Sequence, residues 1–297
     1  MAKSGGSASP ARAGVVTVSY GSEPVLSDFL ASVAGASSER VPIVVADNLP
    51  AEGDVRSLAE SAGAQYLPMP SNLGYGSAIN AAIAALPSEV EWVLVSNPDV
   101  VLGPGVLDRL REAGDEDTAL ASVGPAVYNA DGTLYPSARA VPSLRTGVGH
   151  AMFVNLWPGN PWSRRYRNDA EAPTGRRDAG WLSGSCLLVR RSAFDELGGF
   201  DTGYFMYFED VDLGYRFGRL GYRNLYEPSA RVTHTGAHST TSESARMIAA
   251  HHTSARRFLA RKYSGPLLWP LRVALTAGLT IRSGIIGRRI RRQENEP

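Results

Sequence analysis

The stretch VLVSNPDVVL, residues 93–102, combines an apolar β-strand pattern with an abrupt polar stop. Its first half is rich in valine and leucine, which is typical of a strand covered on both faces of a sheet. The strand pattern ends on Asn97, Pro98 and Asp99. These residues favour a turn, but ligands of open α/β sheets also bind beyond the carboxyl ends of strands. A turn and a binding site are both open at this position.

Apolar strand patterns alternate with helical patterns on both sides of this stretch. GVVTVSY (residues 14–20) and VPIVVAD (residues 41–47) are typical of strands, and SNLGYGSAINAAIAAL (residues 71–86) is typical of a helix. This order predicts an α/β fold built from βαβ units around a mainly parallel sheet flanked by helices. LASVGPAVYNADGTLYP (residues 120–136) is closer to a hairpin, so we expect the sheet to be mixed.

Composition limits the classes of protein that fit. The chain has 297 residues, 43% of them hydrophobic, and a formal net charge of +1. That length suffices for one large α/β domain with an appendage, and the balanced charge gives no reason to expect a nucleic-acid partner. The single cysteine, Cys186, lies in the apolar context GSCLLV, which favours a packed side chain in a cytoplasmic protein. The small polar residues 1–13 predict a disordered arm.

Polar side chains follow the ends of several predicted strands. Asp99 could hold Mg²⁺ or Mn²⁺ together with substrate phosphates, and His234 could add a nitrogen ligand. Asp47 could accept a hydrogen bond from the imide of a uracil or thymine ring. Each also has an ordinary explanation, because Asp47 could simply end its strand and His234 could be a hydrogen-bonded structural histidine.

Three acids, Glu209, Asp210 and Asp212, follow the aromatic run YFMYF and open a predicted helix. The helix dipole stabilises acids at this position by about 0.3–1 kcal/mol each, which would be a sufficient explanation. A carboxylate held at a helix start is also a suitable general base for a hydroxyl nucleophile. We therefore assign Glu209 and Asp210 as the candidate catalytic pair, with Asp210 as the base.

Seven segments occur in the order typical of family 2 glycosyltransferases with the GT-A fold, which this chain resembles. They lie between residues 14 and 240: VSYGS, VVADN, SNLGYGSAIN, VLVSNPDV, GWLSGSCLLVRR, GGFDTGYFMYFEDVDLGYR and ARVTHTGAHS. The resemblance implies a Rossmann-like GT-A domain over residues 14–240 and an inverting sugar transfer without a covalent intermediate. Within the family, the chain looks most like bacterial rhamnosyltransferases.

That resemblance implies the substrates and the roles of residues. It implies dTDP-L-rhamnose as the donor and a polyprenyl-diphospho-GlcNAc lipid of cell-wall linker synthesis as the acceptor. By position, Asp47 would bind the nucleotide base, and Asp210 would take the proton from the acceptor hydroxyl. Asp99 would hold the metal on the diphosphate, and His234 would assist the metal or the diphosphate. Further donor-binding candidates are Ser19, Tyr20, Asn72, Gly74, Asn80, Asn97 and Gly184. The acceptor-binding candidates are Trp181, Arg164 and Arg165.

One position departs from the family pattern. The metal motif usually has two aspartates around one residue, whereas Asn97 stands in place of the first. An amide is a poorer ligand than a carboxylate, so the choice between Mg²⁺ and Mn²⁺, and strict metal dependence, stay open. Asn97 could instead bind the ribose or a metal-bound water.

Two basic regions suggest contacts with the acceptor and the membrane. Residues 138–178 are rich in arginine without a sustained period, which fits either a cradle for the acceptor diphosphate or a solvated loop. Residues 241–297 predict a helical, membrane-associating extension with a basic end. A solvated tail or a helix docked on a partner is the alternative. The apolar stretch 266–281 is too short and interrupted to span a bilayer.

These features predict a cytoplasmic enzyme that is peripheral on the inner membrane surface, and they leave homo-oligomerisation open. Three other functions compete with this hypothesis. The first is another sugar specificity, such as mannosyl or galactosyl transfer, and the second is an inactive nucleotide-sugar-binding scaffold. The third, a nicotinamide-dependent dehydrogenase, is disfavoured because the glycine fingerprint G-x-G-x-x-G is absent.

Overall fold

The computed structural model describes residues 12–50, 53–143, 175–236, 244–274 and 277–278. Within them, a large mixed sheet is covered by helices on two faces, and a buried apolar cluster fills each interface. The predicted α/β fold with a mixed sheet is therefore confirmed.

The helices alternate with the strands through the first half of the chain. The strands are β1 (Ala13–Ser19), β2 (Ile43–Asp47), β3 (Gln65–Pro68), β4 (Trp92–Ser96), β5 (Val100–Leu102), β6 (Leu120–Asn129), β7 (Leu134–Tyr135), β8 (Ala138–Arg139), β9 (Arg177–Ala179), β10 (Trp181–Leu182), β11 (Cys186–Arg190) and β12 (Arg223–His234). The helices are α1 (Glu23–Ala36), α2 (Val55–Ser61), α3 (Tyr75–Ala85), α4 (Val106–Asp115), α5 (Arg191–Glu196), α6 (Glu209–Arg219) and α7 (Ser244–Lys262), and a 3₁₀ turn follows at Pro266–Leu268.

The strand order across the large sheet is β3-β2-β1-β4-β11-β6-β12-β5. The first four strands are parallel, β11 is antiparallel to both of its neighbours, and β12 is parallel to β6 but antiparallel to β5. The predicted hairpin is present, because β7 pairs antiparallel with β6. Ser19 pairs in register with Asp47, so the ends of β1 and β2 meet at one edge of the sheet, where β4 also ends.

Apolar periodicity explains how the helices cover the sheet. The stretch EPVLSDFLASV (residues 23–33) predicts a helix with Leu26 and Phe29 on one face, and both are fully enclosed in α1. On the opposite face of the sheet, α3 buries Ile79 and Ile83. Each such side chain contributes about 1.5–3 kcal/mol when removed from water. These layers hold the strand ends, and hence the site, in fixed positions.

One element differs from its sequence pattern. RNLYE and ARVTH look like two separate strands, but the structure joins them into the single strand β12. Its register with β6 shifts between Glu227 and Arg231. A β-bulge of this kind lets one strand absorb extra residues without ending. The long strand carries His234 to the edge where β5 begins.

The ends of the chain are described in part. Arg12 pairs with Glu91 at 2.6 Å and Ala13 begins β1, so ordered contacts start within the predicted arm. Helix α7, which belongs to the predicted extension, packs on the domain through the fully buried Phe258. Residues 1–11 and 279–297 lie outside the described residues. Among those described, no helix has the length and apolarity needed to cross a membrane.

Candidate active site

Asp99 and His234 lie side by side, although they are 135 residues apart in sequence. The turn between β4 and β5 carries Asp99, and β12 pairs antiparallel with β5 so that His234 faces Val100. Nε2 of His234 is 3.1 Å from Oδ1 of Asp99, which is only 7% exposed. The backbone N–H of Thr235 also donates to the Asp99 carbonyl at 2.9 Å. The structure thus brings both predicted metal ligands together.

Asp210 lies at the start of α6, where its carboxylate accepts two backbone hydrogen bonds. The N–H of Gly184 donates to Oδ2 at 2.9 Å and the N–H of Val211 to Oδ1 at 2.8 Å. The residues before the acids, Tyr207 and Phe208, both have φ of 66°. Left-handed backbone at a non-glycine residue costs about 1–3 kcal/mol and often marks a functional site. The surrounding contacts therefore hold Asp210 in a defined orientation.

The segment from Gly184 to Ser185 connects the two acidic centres. The N–H of Asn97, in the Asp99 turn, donates to the Ser185 carbonyl at 2.8 Å, while the next residue towards the N-terminus, Gly184, binds Asp210. The hydroxyl of Tyr75 donates to the Gly184 carbonyl at 2.9 Å. The turn that contains Asp99 and the carboxylate of Asp210 are therefore both bound to one short segment of the chain.

The hydroxyl of Tyr75 is influenced by the acids of both segments. Burial raises the pKa of its hydroxyl well above the ordinary value, and the negative charges of Glu209, Asp210 and, more weakly, Asp99 raise it further. Three acids from two distant segments thus act on one hydroxyl, which places them around a common site. Tyr75 did not emerge from sequence reasoning, because nothing local shows that its hydroxyl reaches Gly184.

Glu209 and Asp210 have different electrostatic environments. Burial, and then the neighbouring Asp210 charge, raise the pKa of Glu209 to about 8. Burial also raises the pKa of Asp210, but the two backbone donors and the charge of Arg139 oppose that effect. Oε2 of Glu209 is buried and has no hydrogen-bond partner within the described part of the chain. The backbone donors thus favour the ionised form of Asp210, whereas burial beside Asp210 favours the protonated form of Glu209.

Replacing Glu209 by glutamine should change how stability depends on pH. The pKa of Glu209 rises from 4.5 to about 8 on folding, so the folded protein keeps a proton that the unfolded chain releases. That contribution is complete below the unfolded value and is lost as pH rises through the folded one. Relative to Glu209→Gln, the unfolding free energy of the parent should fall by up to about 1.4 kcal/mol per pH unit within that window.

Thermal or urea unfolding of both proteins between about pH 5 and about pH 8 measures this difference. The exposed Glu89 supplies a matched control, since Glu89→Gln should follow the parent at every pH. Parallel stability curves for Glu209→Gln and the parent would contradict the raised pKa.

The predicted base-binding residue, Asp47, ends β2 and is almost fully buried. Its Oδ1 accepts from the N–H of Leu49 and its Oδ2 from the hydroxyl of Tyr66, each at 3.0 Å. Ser19 is buried beside it at the end of β1, and Tyr20 is 44% exposed. The structure thus groups three donor-binding candidates at one sheet edge, and contact with a base stays a prediction.

Gly74 and α3 pack against residues 200–205, the segment that precedes Glu209 and Asp210. Gly74 has φ of 92°, and a Cβ atom there would lie 2.2 Å from the Phe205 carbonyl oxygen. The sequence suggested that the backbone at Gly74 approaches a ligand closely; in the structure it approaches the backbone of Phe205. Asn72 accepts the N–H of Gly74 at 3.1 Å. The amide of Asn80 binds the backbone N–H and C=O of Phe200, both at 2.9 Å, which is a structural role.

Trp181, a predicted acceptor-binding residue, lies beside Arg139. They pair in register across β10 and β8, and the guanidinium carbon of Arg139 is 5.9 Å from the Trp181 ring centroid. The charge of Arg139 also opposes the rise in the pKa of Asp210, so it acts electrostatically on the proposed base. Sequence reasoning did not single out Arg139 from the other arginines of its region. Arg164 and Arg165 lie outside the described residues.

The donor set around Asp99 fits a divalent ion that takes further ligands from a substrate. Asp99 offers a carboxylate and His234 an imidazole nitrogen, while Asn97 stands two residues before Asp99. Across the described ranges, no group of three or more His, Cys, Asp or Glu side chains is arranged to hold a metal. Mg²⁺ and Mn²⁺ commonly bind through one or two protein ligands plus phosphate oxygens and water.

The model of the family described as glycosyl transferase family 2 matches residues 14–198 of the chain. The chain belongs to glycosyl transferase family 2. This family 2 glycosyltransferase is 45% identical over 296 residues to the N-acetylglucosaminyl-diphospho-decaprenol L-rhamnosyltransferase of Mycobacterium tuberculosis, with coverage of 94% of this chain and 95% of the relative. It is 27% identical over 254 residues to the rhamnosyltransferase WbbL of Escherichia coli K12, covering 84% and 92% of the two chains. The resemblance to family 2 and to rhamnosyltransferases is thus confirmed.

Solved structures support the fold of this family 2 glycosyltransferase. The mannosyltransferase PcManGT from Pyrobaculum calidifontis, in complex with GDP-Man and Mn²⁺, superposes with a TM-score of 0.56 at 16% identity, covering 90% of this chain and 70% of that one. GalNAc-T7 with UDP, GalNAc and Mn²⁺ gives a TM-score of 0.55 at 16% identity, with 89% and 54% covered. At these identities the similarity establishes the glycosyltransferase fold alone.

Proposed function

We propose that this glycosyltransferase moves L-rhamnose from dTDP-L-rhamnose to a polyprenyl-diphospho-GlcNAc lipid, with inversion at the anomeric carbon. The mycobacterial relative, 45% identical across nearly the whole chain, is named for such a decaprenol acceptor and for rhamnose. The observation that carries the proposal is that the adjacent residues Gly184 and Ser185 bind Asp210 and the turn that contains Asp99, respectively. One acid faces a leaving diphosphate while the other faces an attacking hydroxyl.

The proposed chemistry follows from this division of charge. The acceptor oxygen attacks the anomeric carbon, its proton passes to the Asp210 carboxylate, and the bond to the dTDP oxygen breaks. Two backbone donors orient Asp210 and favour its ionised form, and a general base of this kind accelerates transfer by about 10² to 10⁴. Orientation of the hydroxyl in line with the leaving group supplies a further large part of the acceleration.

The leaving side of the site requires positive charge. We propose that Asp99 and His234 hold a divalent ion, Mg²⁺ or Mn²⁺, which would neutralise the diphosphate as it departs. The Mn²⁺ reported with PcManGT and with GalNAc-T7 supports this choice. Asn97, which replaces a carboxylate, would contribute less to metal affinity. Asp47, with Ser19 and Tyr20, would bind the nucleoside.

Purified protein offered three nucleotide sugars tests the proposed function. With a short-chain polyprenyl-diphospho-GlcNAc acceptor, dTDP-L-rhamnose should support transfer, whereas GDP-mannose and UDP-galactose should not. The product's anomeric configuration, read by NMR, should be inverted relative to the donor. Faster transfer from a competing nucleotide sugar would contradict the donor, and neither transfer nor hydrolysis of any donor would indicate a scaffold protein.

The 3₁₀ turn after α7 supports peripheral binding at the cytoplasmic membrane surface. Leu267 is 91% exposed, Trp269 60% and Val273 57%, so large apolar side chains project together from one short segment. Basic residues are frequent in the sequence that follows. Apolar side chains next to basic ones are typical of segments that lie on anionic bilayers.

A double variant of Leu267 and Trp269 tests this membrane contact. Replacing both by serine should reduce co-flotation of the full chain with vesicles that contain anionic lipid, because each buried apolar side chain contributes about 1.5–3 kcal/mol. Leu220→Ser is a matched control, since Leu220 is also exposed but lies at the end of α6. Equal flotation of the double variant and the parent would contradict a membrane role for this segment.

A further inference from the structure

The backbone that precedes the catalytic acids needs support from outside its own segment. Tyr207 and Phe208 both have φ of 66°, in the left-handed region that side chains disfavour. Phe208 is also the N-cap residue directly before α6, so its conformation sets the direction of the first helical turn and of Asp210. Strained backbone of this kind persists only where neighbouring contacts hold it.

Helix α7 supplies such contacts. The hydroxyl of Ser254 donates to the carbonyl of Met206 at 2.7 Å. The ring of His251 packs edge-on against Tyr207 and Phe208, with centroid distances of 5.6 and 5.3 Å. The strained segment is therefore fixed on one side by a helix that is distant in sequence.

Arg261 ties α7 to α6. Its Nη1 donates to Oδ2 of Asp212 at 3.0 Å, and Asp212 is fully buried two residues beyond Asp210. Arg261 also pairs with Asp201. Arg216 donates to the same Asp212 oxygen at 2.6 Å. The buried carboxylate thus joins the helix that carries the proposed base to the helix that supports it.

Arg261 can be replaced without leaving a buried charge unpaired. If Arg261 is removed, Asp212 still has Arg216, so no buried charge is left without a partner. Breaking a buried ion pair is severe mainly when a charge stays uncompensated. Loss of Arg261 should therefore loosen α7 without unfolding the domain.

We propose that Arg261 is a positioning residue: through Asp212 it holds α7 against residues 206–208 and so keeps Asp210 aimed at the acceptor hydroxyl. The inference rests on the proposed function, in which Asp210 is the base. A misplacement of a reacting group by about 1 Å can lower turnover by about 10²-fold. Arg261 would act through Asp212 without touching the substrate.

Kinetics of full-length variants provide the first test. Arg261→Met should lower kcat by about 10-fold to 100-fold and leave the donor KM within about two-fold of the parent. Arg261→Lys, which keeps the charge but not the two-sided contact, should recover part of the lost kcat. Arg257 is the matched control on the same helix, because it also pairs with Asp201 but makes no ion pair with Asp212 within the described residues. Arg257→Met should stay within about two-fold of the parent.

Hydrogen–deuterium exchange measures how firmly α7 holds residues 206–208, independently of activity. Amides of residues 204–212 should exchange faster in Arg261→Met than in the parent or in Arg257→Met. Unchanged exchange and kcat in Arg261→Met would overturn the inference, as would an equal loss of kcat in Arg257→Met. Parental turnover in Asp210→Asn would instead overturn the proposed base. Should Arg261→Met fail to fold, Arg261→Lys carries the same comparison.

Discussion

Asp210→Asn should lower turnover by about 10² to 10⁴, which corresponds to about 3 to 5 kcal/mol in the barrier. The amide keeps the size of the side chain but cannot take the proton of the acceptor hydroxyl. Two backbone donors hold the carboxylate, and one of them, the N–H of Gly184, would still find an acceptor oxygen in the variant. We expect the fold and donor binding to survive, because the proposed role of Asp210 concerns the acceptor hydroxyl and not the donor.

Steady-state transfer assays measure the loss of turnover, and calorimetric titration with dTDP measures whether donor binding survives. Asp195→Asn is a suitable control, since Asp195 is an exposed acid on α5 that pairs with Arg191. Turnover of Asp210→Asn within about two- to three-fold of the parent would remove Asp210 as the base. A parallel loss of dTDP affinity would place Asp210 on the donor side instead.

Asp99→Asn should lower turnover by about 10² to 10³, because it removes the carboxylate proposed to hold the ion at the leaving diphosphate. His234 would keep a hydrogen-bonding partner, since Oδ1 of the amide can occupy the position 3.1 Å from Nε2. The loss should therefore reflect weaker binding of metal and diphosphate more than disorder of β5 and β12.

Binding of dTDP with and without Mn²⁺ separates these effects. In the parent, the ion should strengthen dTDP binding, and chelation should reverse it; in Asp99→Asn, that strengthening should be small. Asp131→Asn, in the exposed β6–β7 turn, should behave as the parent does. Parental activity and unchanged dTDP affinity in excess chelator would contradict metal dependence.

Local sequence pattern predicted much of this molecule correctly. The buried face of α1 follows from apolar spacing, and the strands that end at Asp47 and at the Asn97–Asp99 turn follow from β-branched runs with polar stops. The hairpin of β6 and β7 follows from its turn residues. These features depend on residues close together in the chain, so their physical causes are visible in the sequence.

Other features were outside the reach of local pattern. Asn80 and Gly74 were predicted to approach a ligand, yet in the structure they contact the backbone of Phe200 and Phe205. The joined strand β12 could not be recognised from two short apolar runs. Partners of this kind come from segments more than a hundred residues away, and the sequence does not name them.

The sequence by itself determined which chemical groups stand at the ends of strands and helices: the carboxylates of Asp47, Asp99 and Asp210 and the imidazole of His234. Only the tertiary structure decided that Asp99 meets His234, that Glu209 holds a proton to about pH 8, and that α7 packs on the segment before Asp210. The reason is physical, because propensity and periodicity are local, whereas burial, pairing of charges and strand register are set by contacts across the whole fold.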